Sequence, residues 1–431
     1  MLLASACMPA EPGLTPGTGG AGSTVAGGSG GAAGGTSGGG GSAGVDAGAG
    51  AGTGGASGSG TGGGSTGGAT VGSGGGPGTG GARSGAGGGG GAIPGGAGGQ
   101  AVGGQTGGGA AGGVVTDPGT EGDGDFMIGP TYTDSPDLAV KNVPHGTTYN
   151  FTMDSSTSQV FTGLDSTLLT ANQHTFTRAI RVYIPRQYVD GTEAPFMIVQ
   201  DGYVDDVVKA LDNLIGDTQA DRRLPPVIAI FVANGGGDSK GSERGLEYDT
   251  VSDRYTQLIE TEVLPAVKNA SAIKAAYPNL RFTSNPEGRA AYGCSSGAAA
   301  AFTMGWFSPQ LYRRIVTYSG TFVDQQDDDA PTEREYPNGA WEYHQRLIGA
   351  ADPKPLRVFL QVGQNDNGAT MSEASHHNWV LANQRMAAAL KAKGYHYRFI
   401  YALGAGHCDA KVRRQTLPDT LRWLWRGYPV D

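Results

Sequence analysis

Arg289-Ala290-Ala291-Tyr292-Gly293-Cys294-Ser295-Ser296-Gly297-Ala298-Ala299-Ala300-Ala301-Phe302-Thr303-Met304 is the stretch that decides the fold. Its first four residues read as a short buried strand and its last seven as a helix. Between them Gly293–Gly297 is a Gly-x-Ser-x-Gly turn. Small residues on both sides of Ser295 let the chain turn tightly and leave the hydroxyl exposed above a sheet edge. Glycine and serine are common in this chain, so the pentapeptide alone is a weak signal. The strand–turn–helix setting gives it weight against a chance glycine turn. Ser296, in the x position, reads as a source of a backbone N–H.

Working outward, further short β-branched runs surround this turn. They are Thr148–Met153, Ala179–Pro185, Pro195–Gln200, Pro226–Val232, Arg314–Tyr318, Leu356–Val362 and Tyr397–Tyr401. Several are continuously apolar, as strands buried on both faces are. Helical patterns fill the gaps at 205–215, 253–267, 379–390 and 416–425. Strand and helix alternating with crossovers of this length predict an α/β fold. Its central sheet is mostly parallel and covered by helices on both faces, with antiparallel strands at the N-terminal edge.

A nucleophilic serine needs a base, and the base an orienting acid. The required order is serine, acid, histidine. Asp366 ends the run Gly363-Gln364-Asn365-Asp366 after one strand, and His407 follows the final strand in Gly404-Ala405-Gly406-His407. Both occupy loops at strand C-termini, so Ser295, Asp366 and His407 are the candidate triad, with Glu373 the fallback acid. His376 and His377 precede the last strand and read as capping or exposed residues. The oxyanion donors are expected at Ser296 and in Asp201-Gly202-Tyr203, where Gly202 permits close backbone approach and Tyr203 is an equal candidate. None of the seven histidines shows a zinc spacing, and no motif implies a cofactor.

Composition divides the chain. Of 79 glycines in 431 residues, 53 lie in the first 120, where only Glu11, Asp46, Arg83 and Asp117 are charged. Residues 8–124 have almost nothing apolar to bury and are expected to be a disordered tether; residues 125–431 suffice for one large core. The heptapeptide Met1–Cys7 has the order of the tail of an export signal, with Cys7 as a candidate lipidated residue. Export to a cell surface or periplasm, with the membrane contacted only through such a lipid, is therefore expected. A net charge of −9 argues against a nucleic-acid partner.

With these residues identified, the folded part resembles the esterase family of α/β-hydrolases that includes enterochelin esterases, esterase D and carbohydrate feruloyl and acetyl esterases. The enterochelin-esterase-like branch is the nearest in pattern. The matching stretches are Gln200–Gly202, Glu243–Tyr248, Asp253–Tyr255, Glu262–Pro265, Gly293–Gly297 with Ala301–Trp306, Tyr318–Phe322, Leu360–Asp366, Gly406-His407 and Leu417–Trp425. The resemblance implies an α/β-hydrolase fold and ester hydrolysis through an acyl-enzyme on Ser295, Asp366 and His407. It leaves the substrate among siderophore lactones, sugar esters and small acyl esters. An acyltransferase or peptidase on the same scaffold, or a non-catalytic surface binding protein, are the alternatives. Arg244 and Glu247 are candidates for substrate contact or for a loop clamp with each other. Trp341 is a further candidate contact, in a segment 323–355 expected to lie over the site.

One departure from the family pattern is cysteine. Cys294 precedes the nucleophile and Cys408 follows the histidine, a local arrangement that resembles glucuronoyl esterases, although Ser296 replaces their basic residue. With Cys7 assigned to lipid, two cysteines remain. Approach of Ser295 and His407 would bring their neighbours close enough for a Cys294–Cys408 disulfide.

Overall fold

Phe196–Gln200 and Ile228–Val232 are buried at every residue, which places them at the centre of a sheet rather than at an edge. The computed structural model of the protein describes residues 119–202, 204–219, 222–238, 240–325 and 336–430. In chain order the strands are β1 (Gly124–Ile128), β2 (Thr147–Asp154), β3 (Thr177–Ile184), β4 (Glu193–Ala194), β5 (Phe196–Gln200), β6 (Ile228–Val232), β7 (Arg281–Phe282), β8 (Arg289–Cys294), β9 (Arg314–Tyr318), β10 (Arg357–Gly363) and β11 (His396–Ala402). Nine of them form one sheet in the order β1-β11-β10-β9-β8-β5-β6-β3-β2, and β4 pairs with β7 apart from it.

The pairings from β1 to β6 are parallel, and the two at the other edge, β6 with β3 and β3 with β2, are antiparallel, so that β3 alone runs against the rest. This is the expected mostly parallel architecture with its antiparallel N-terminal edge. One layer packs the Ser296–Phe307 and Trp379–Ala392 helices against the sheet through Ala300, Phe302, Met304, Trp379 and Met386. The opposite layer uses the Asp205–Ile215 and Ala410–Trp425 helices through Val207, Leu211, Leu417 and Leu424. Covering both faces is what permits strands without polar alternation.

Two elements differ from the sequence reading. The pattern over 253–267 predicts one helix, and the chain instead passes from α-helix (Arg254–Leu258) through a π-helical turn (Ile259–Val263) into α-helix (Leu264–Asn269). The closing helix begins at Ala410, ahead of the expected 416, because Asp409 caps it by accepting from the Lys411 and Val412 N–H groups.

A third element is additional. β1 lies at the edge beside β11, and Asp123 just before it accepts from Trp423 Nε1 at 2.9 Å and contacts His396 Nδ1 at 2.8 Å. Residues 119–124, which composition assigns to the tether, thus lie with the sheet. Residues 8–118 and Cys7 lie outside the described residues, as do Tyr203 and the acidic run Asp327–Asp329. No helix among the described residues is long and apolar enough to cross a membrane.

Candidate active site

Ser295 lies between the end of β8 and the Ser296–Phe307 helix with φ 58° and ψ −131°. This left-handed conformation is costly for a serine and marks a turn held by its surroundings. The two glycines make it fit. A Cβ on Gly293 would run into the Gly297 carbonyl, and one on Gly297 would stand 2.7 Å from Asp201 Oδ2. The turn is then fastened to β9, since Ser295 N–H donates to Tyr318 O at 3.0 Å and Ser295 O accepts from Thr321 N–H at 3.1 Å.

The triad residues meet here. His407 Nε2 is 2.9 Å from Ser295 Oγ, and His407 Nδ1 is 2.6 Å from Asp366 Oδ1. A buried carboxylate accepts only, so Nδ1 carries the proton and Nε2 is left as acceptor for the serine proton. Asp366 is itself held by four donors. Oδ1 takes His407 Nδ1–H and the Asn367 N–H at 2.8 Å; Oδ2 takes Ser319 Oγ–H at 2.7 Å and the Gly363 N–H at 3.3 Å. Gly363 has no room for a side chain because the Ala405 and Gly406 carbonyls press against it, which brings the acid's strand close to the histidine loop. A disulfide joins Cys294 to Cys408 with Cα atoms 6.1 Å apart, directly beside the serine and the histidine.

The sequence gives no sign of three further contacts at this point. The Trp379 ring stands edge-on to His407 at 6.2 Å, and its Nε1–H donates to Thr321 Oγ1 at 3.2 Å. Thr321 Oγ1 is in turn 3.4 Å from Ser295 Oγ. Each is an ordinary residue type whose role depends on the fold. The fallback acid takes no part: Glu373 is exposed and paired with Arg385 at 2.6 Å. His376 stacks on Trp341 at 4.9 Å, and His377 Nδ1 lies against Ser375 O at 2.7 Å. Trp341 itself is 1 % exposed and belongs to the core cluster; so large a ring with so little surface contributes packing rather than a substrate contact.

On the other side of the serine lies the loop after β5. Gly202 donates its N–H to Val232 O at 3.1 Å, so that group is not free to serve as an oxyanion donor. Asp201, with φ 65°, is held by Arg244 through Nε at 2.8 Å and Nη2 at 3.1 Å, and by Asn234 Nδ2 at 2.8 Å. Arg244 also reaches Asp238 at 2.6 Å. Glu247 makes a bidentate pair with Arg178, both contacts 2.8 Å, with the two residues 2 % and 3 % exposed. Arg244 and Glu247 therefore do form clamps, with Asp201 and Arg178 and not with each other. Burial would lower the Arg178 guanidinium, but Glu247 outweighs it and holds the cation charged.

No cluster of three or more His, Cys, Asp or Glu side chains suited to a metal occurs among the described residues. The chain is 26 % identical over 266 residues to an iron(III) enterobactin esterase of Dickeya dadantii, covering 58 % of this chain and 52 % of that protein. It thus spans about half the length of the curated relative it matches. Among solved structures, the Shigella flexneri enterobactin esterase with 2,3-dihydroxy-N-benzoyl-serine is 20 % identical, with 58 % of this chain and 56 % of that one covered and a TM-score of 0.40. A ferulic acid esterase from Anaeromyces mucronatus is 13 % identical, with 67 % and 94 % covered and a TM-score of 0.45. The family model described as "Putative esterase" matches residues 174–424, more than half of the chain and all three triad positions. The chain belongs to that esterase family.

Proposed function

We propose that the chain is a serine carboxylic-ester hydrolase that works through an acyl-enzyme. The observation that carries the reading is the continuous line Ser295 Oγ, His407 Nε2, His407 Nδ1, Asp366 Oδ1, with contacts of 2.9 and 2.6 Å. As Ser295 Oγ attacks the ester carbonyl, His407 Nε2 takes its proton. It then gives that proton to the departing alcohol, and activates water for the second half-reaction. Asp366 keeps the imidazole in the tautomer this needs and stabilises the imidazolium that forms. Ser296 heads its helix directly after the nucleophile, and we assign its N–H as one oxyanion donor. With the Gly202 N–H engaged, the second role falls to the N–H of Tyr203.

The substrate is proposed to be a siderophore-type lactone, a sugar ester or a small acyl ester, in keeping with relatives that include enterobactin and ferulic acid esterases. Export belongs to the same proposal, with Cys7 as the lipid-bearing residue. The Cys294–Cys408 disulfide supports it, since such a bond persists in oxidising compartments. Intact mass of the protein extracted from membranes tests the lipid, and an unmodified Met1 terminus would exclude it.

The decisive experiment is hydrolysis of a short chromogenic ester by Ser295→Ala. Turnover should fall by about a thousandfold or more with the thermal transition unchanged. A loss below tenfold would overturn the reading. The wild-type enzyme assayed on siderophore lactones, feruloyl and acetyl sugars and short acyl esters then ranks the substrate classes.

A further inference from the structure

Ser319 follows β9 directly, is fully buried, and has φ 46°. A glycine would adopt that backbone freely, whereas a serine is strained by it. The side chain retained there has one proton and two lone pairs to use. It donates to Asp366 Oδ2 at 2.7 Å and accepts the Cys408 N–H at 2.9 Å. Its backbone N–H is fixed to Gln361 O at 2.7 Å, and the preceding carbonyl, Tyr318 O, holds the Ser295 N–H at 3.0 Å.

One hydroxyl therefore touches both the acid and the residue next to the base, from a strand end that also holds the nucleophile. Asp366 Oδ2 has just one other donor, Gly363 N–H at 3.3 Å. The Ser319 hydroxyl is the shorter contact on Oδ2 and, with the donors on Oδ1, keeps the carboxylate from turning about its own axis. Cys408 also has a positive φ, 49°, so two strained residues from distant parts of the chain are joined through this single bond. Strain kept at a site is kept by what surrounds it.

We propose that Ser319 is a positioning residue of the triad: its hydroxyl locks the Asp366 carboxylate and the His407 loop in one register, without touching substrate. The inference rests on the proposed catalytic role of Ser295, His407 and Asp366.

Ser319→Gly tests it, because glycine relieves the backbone while deleting the hydroxyl. Thermal stability should be kept or raised, KM should stay within about twofold, and kcat should fall about 10- to 100-fold, as slight misplacement of reacting groups does. Ser319→Ala is the second variant should glycine loosen the strand end, and the same kinetic split is expected. In an Asp366→Asn background the Ser319 substitution should cost less than about threefold, since residues acting through one another are not additive. A kcat within twofold of wild type, with Ser295→Ala inactive, would overturn the inference. So would an equal loss in both backgrounds, which marks a general structural defect. Hydrolysis surviving in Ser295→Ala would overturn the triad reading and this inference with it.

Discussion

On one side of Ser295 the geometry is set by short neutral donors and backbone amides. The Asp366 carboxylate is held there, and each of its oxygens has two donors. On the other side, behind the loop after β5, the geometry is set by charge. Arg178 meets Glu247, Arg244 meets Asp201 and Asp238, and one further buried carboxyl, Glu243, has no hydrogen-bond partner among the described residues. The first side holds Ser295, His407 and Asp366 in one alignment through hydrogen bonds. The second holds a loop through groups whose charge depends on partners and on pH. Orientation of a proton relay is thus kept separate from the part of the molecule that electrostatics can loosen.

The largest effect expected is on the hydrogen-bonded side. Asp366→Asn should lower kcat by about 10³–10⁴-fold, because the amide favours the wrong imidazole tautomer, and should leave KM nearly unchanged. Glu373→Gln, at an exposed surface pair, should stay within twofold. Steady-state kinetics on one ester decides between them, and the reverse ranking would break the comparison at its first step.

Next is the charged side. Arg178→Ala leaves Glu247 buried without its partner, which costs about 3–5 kcal/mol in comparable buried pairs. Denaturant titration should show that loss. A loss near zero would mean that the loop does not depend on its ion pairs.

Within the hydrogen-bonded side, the disulfide ties the nucleophile turn to the histidine loop. Replacing Cys294 and Cys408 together by alanine opens a loop with a sequence separation of 114 residues, and about 2–4 kcal/mol of stability should go with it. The same protein should show a lower kcat at temperatures below unfolding, since the histidine loop loses its fastening to the nucleophile turn.

These predictions also show what could be read from residues alone. Ser295, Asp366 and His407 could be picked out because each ends a strand or follows one, and strand ends carry local signals: glycines, apolar runs, turn residues. Ser319 and Thr321 lie in the family-like stretch Tyr318–Phe322 but show no sign of their contacts, since a serine or threonine after a strand is unremarkable until its φ and its neighbours are known. The pairing of Arg244 and Glu247 was out of reach for a different reason. Their partners, Asp201 in the loop after β5 and Arg178 on β3, lie tens of residues away, and a charged side chain does not announce which opposite charge it will meet. β1 was hidden by its length and by the glycine-rich composition before it. A five-residue parallel edge strand is defined by pairing with β11 rather than by its own pattern.

The smallest effect bears on Asp249. It closes the short Glu243–Tyr248 helix, whose carbonyl end disfavours an anion. Burial pushes its carboxyl up from 3.8 to about 7; Arg244 and a hydrogen bond from the Ser296 side chain act the other way, and Asp238 and Asp201 add to the rise. The sign of its contribution follows. Below pH 4 the carboxyl is protonated whether the chain is folded or not, and the group has no net effect. Between pH 4 and 7 the unfolded chain releases the proton while the folded chain keeps it, so stability declines as pH rises, and the loss levels off above about 7. Asp249→Asn keeps the shape and removes the titration. Its stability relative to wild type should therefore rise between pH 4.5 and pH 8.5, by about 1–3 kcal/mol, the scale on which proteins penalise an unpaired buried polar group. Denaturant midpoints of Asp249→Asn and wild type at the two pH values make the measurement; parallel curves would show that the loop side does not respond to pH through this carboxyl.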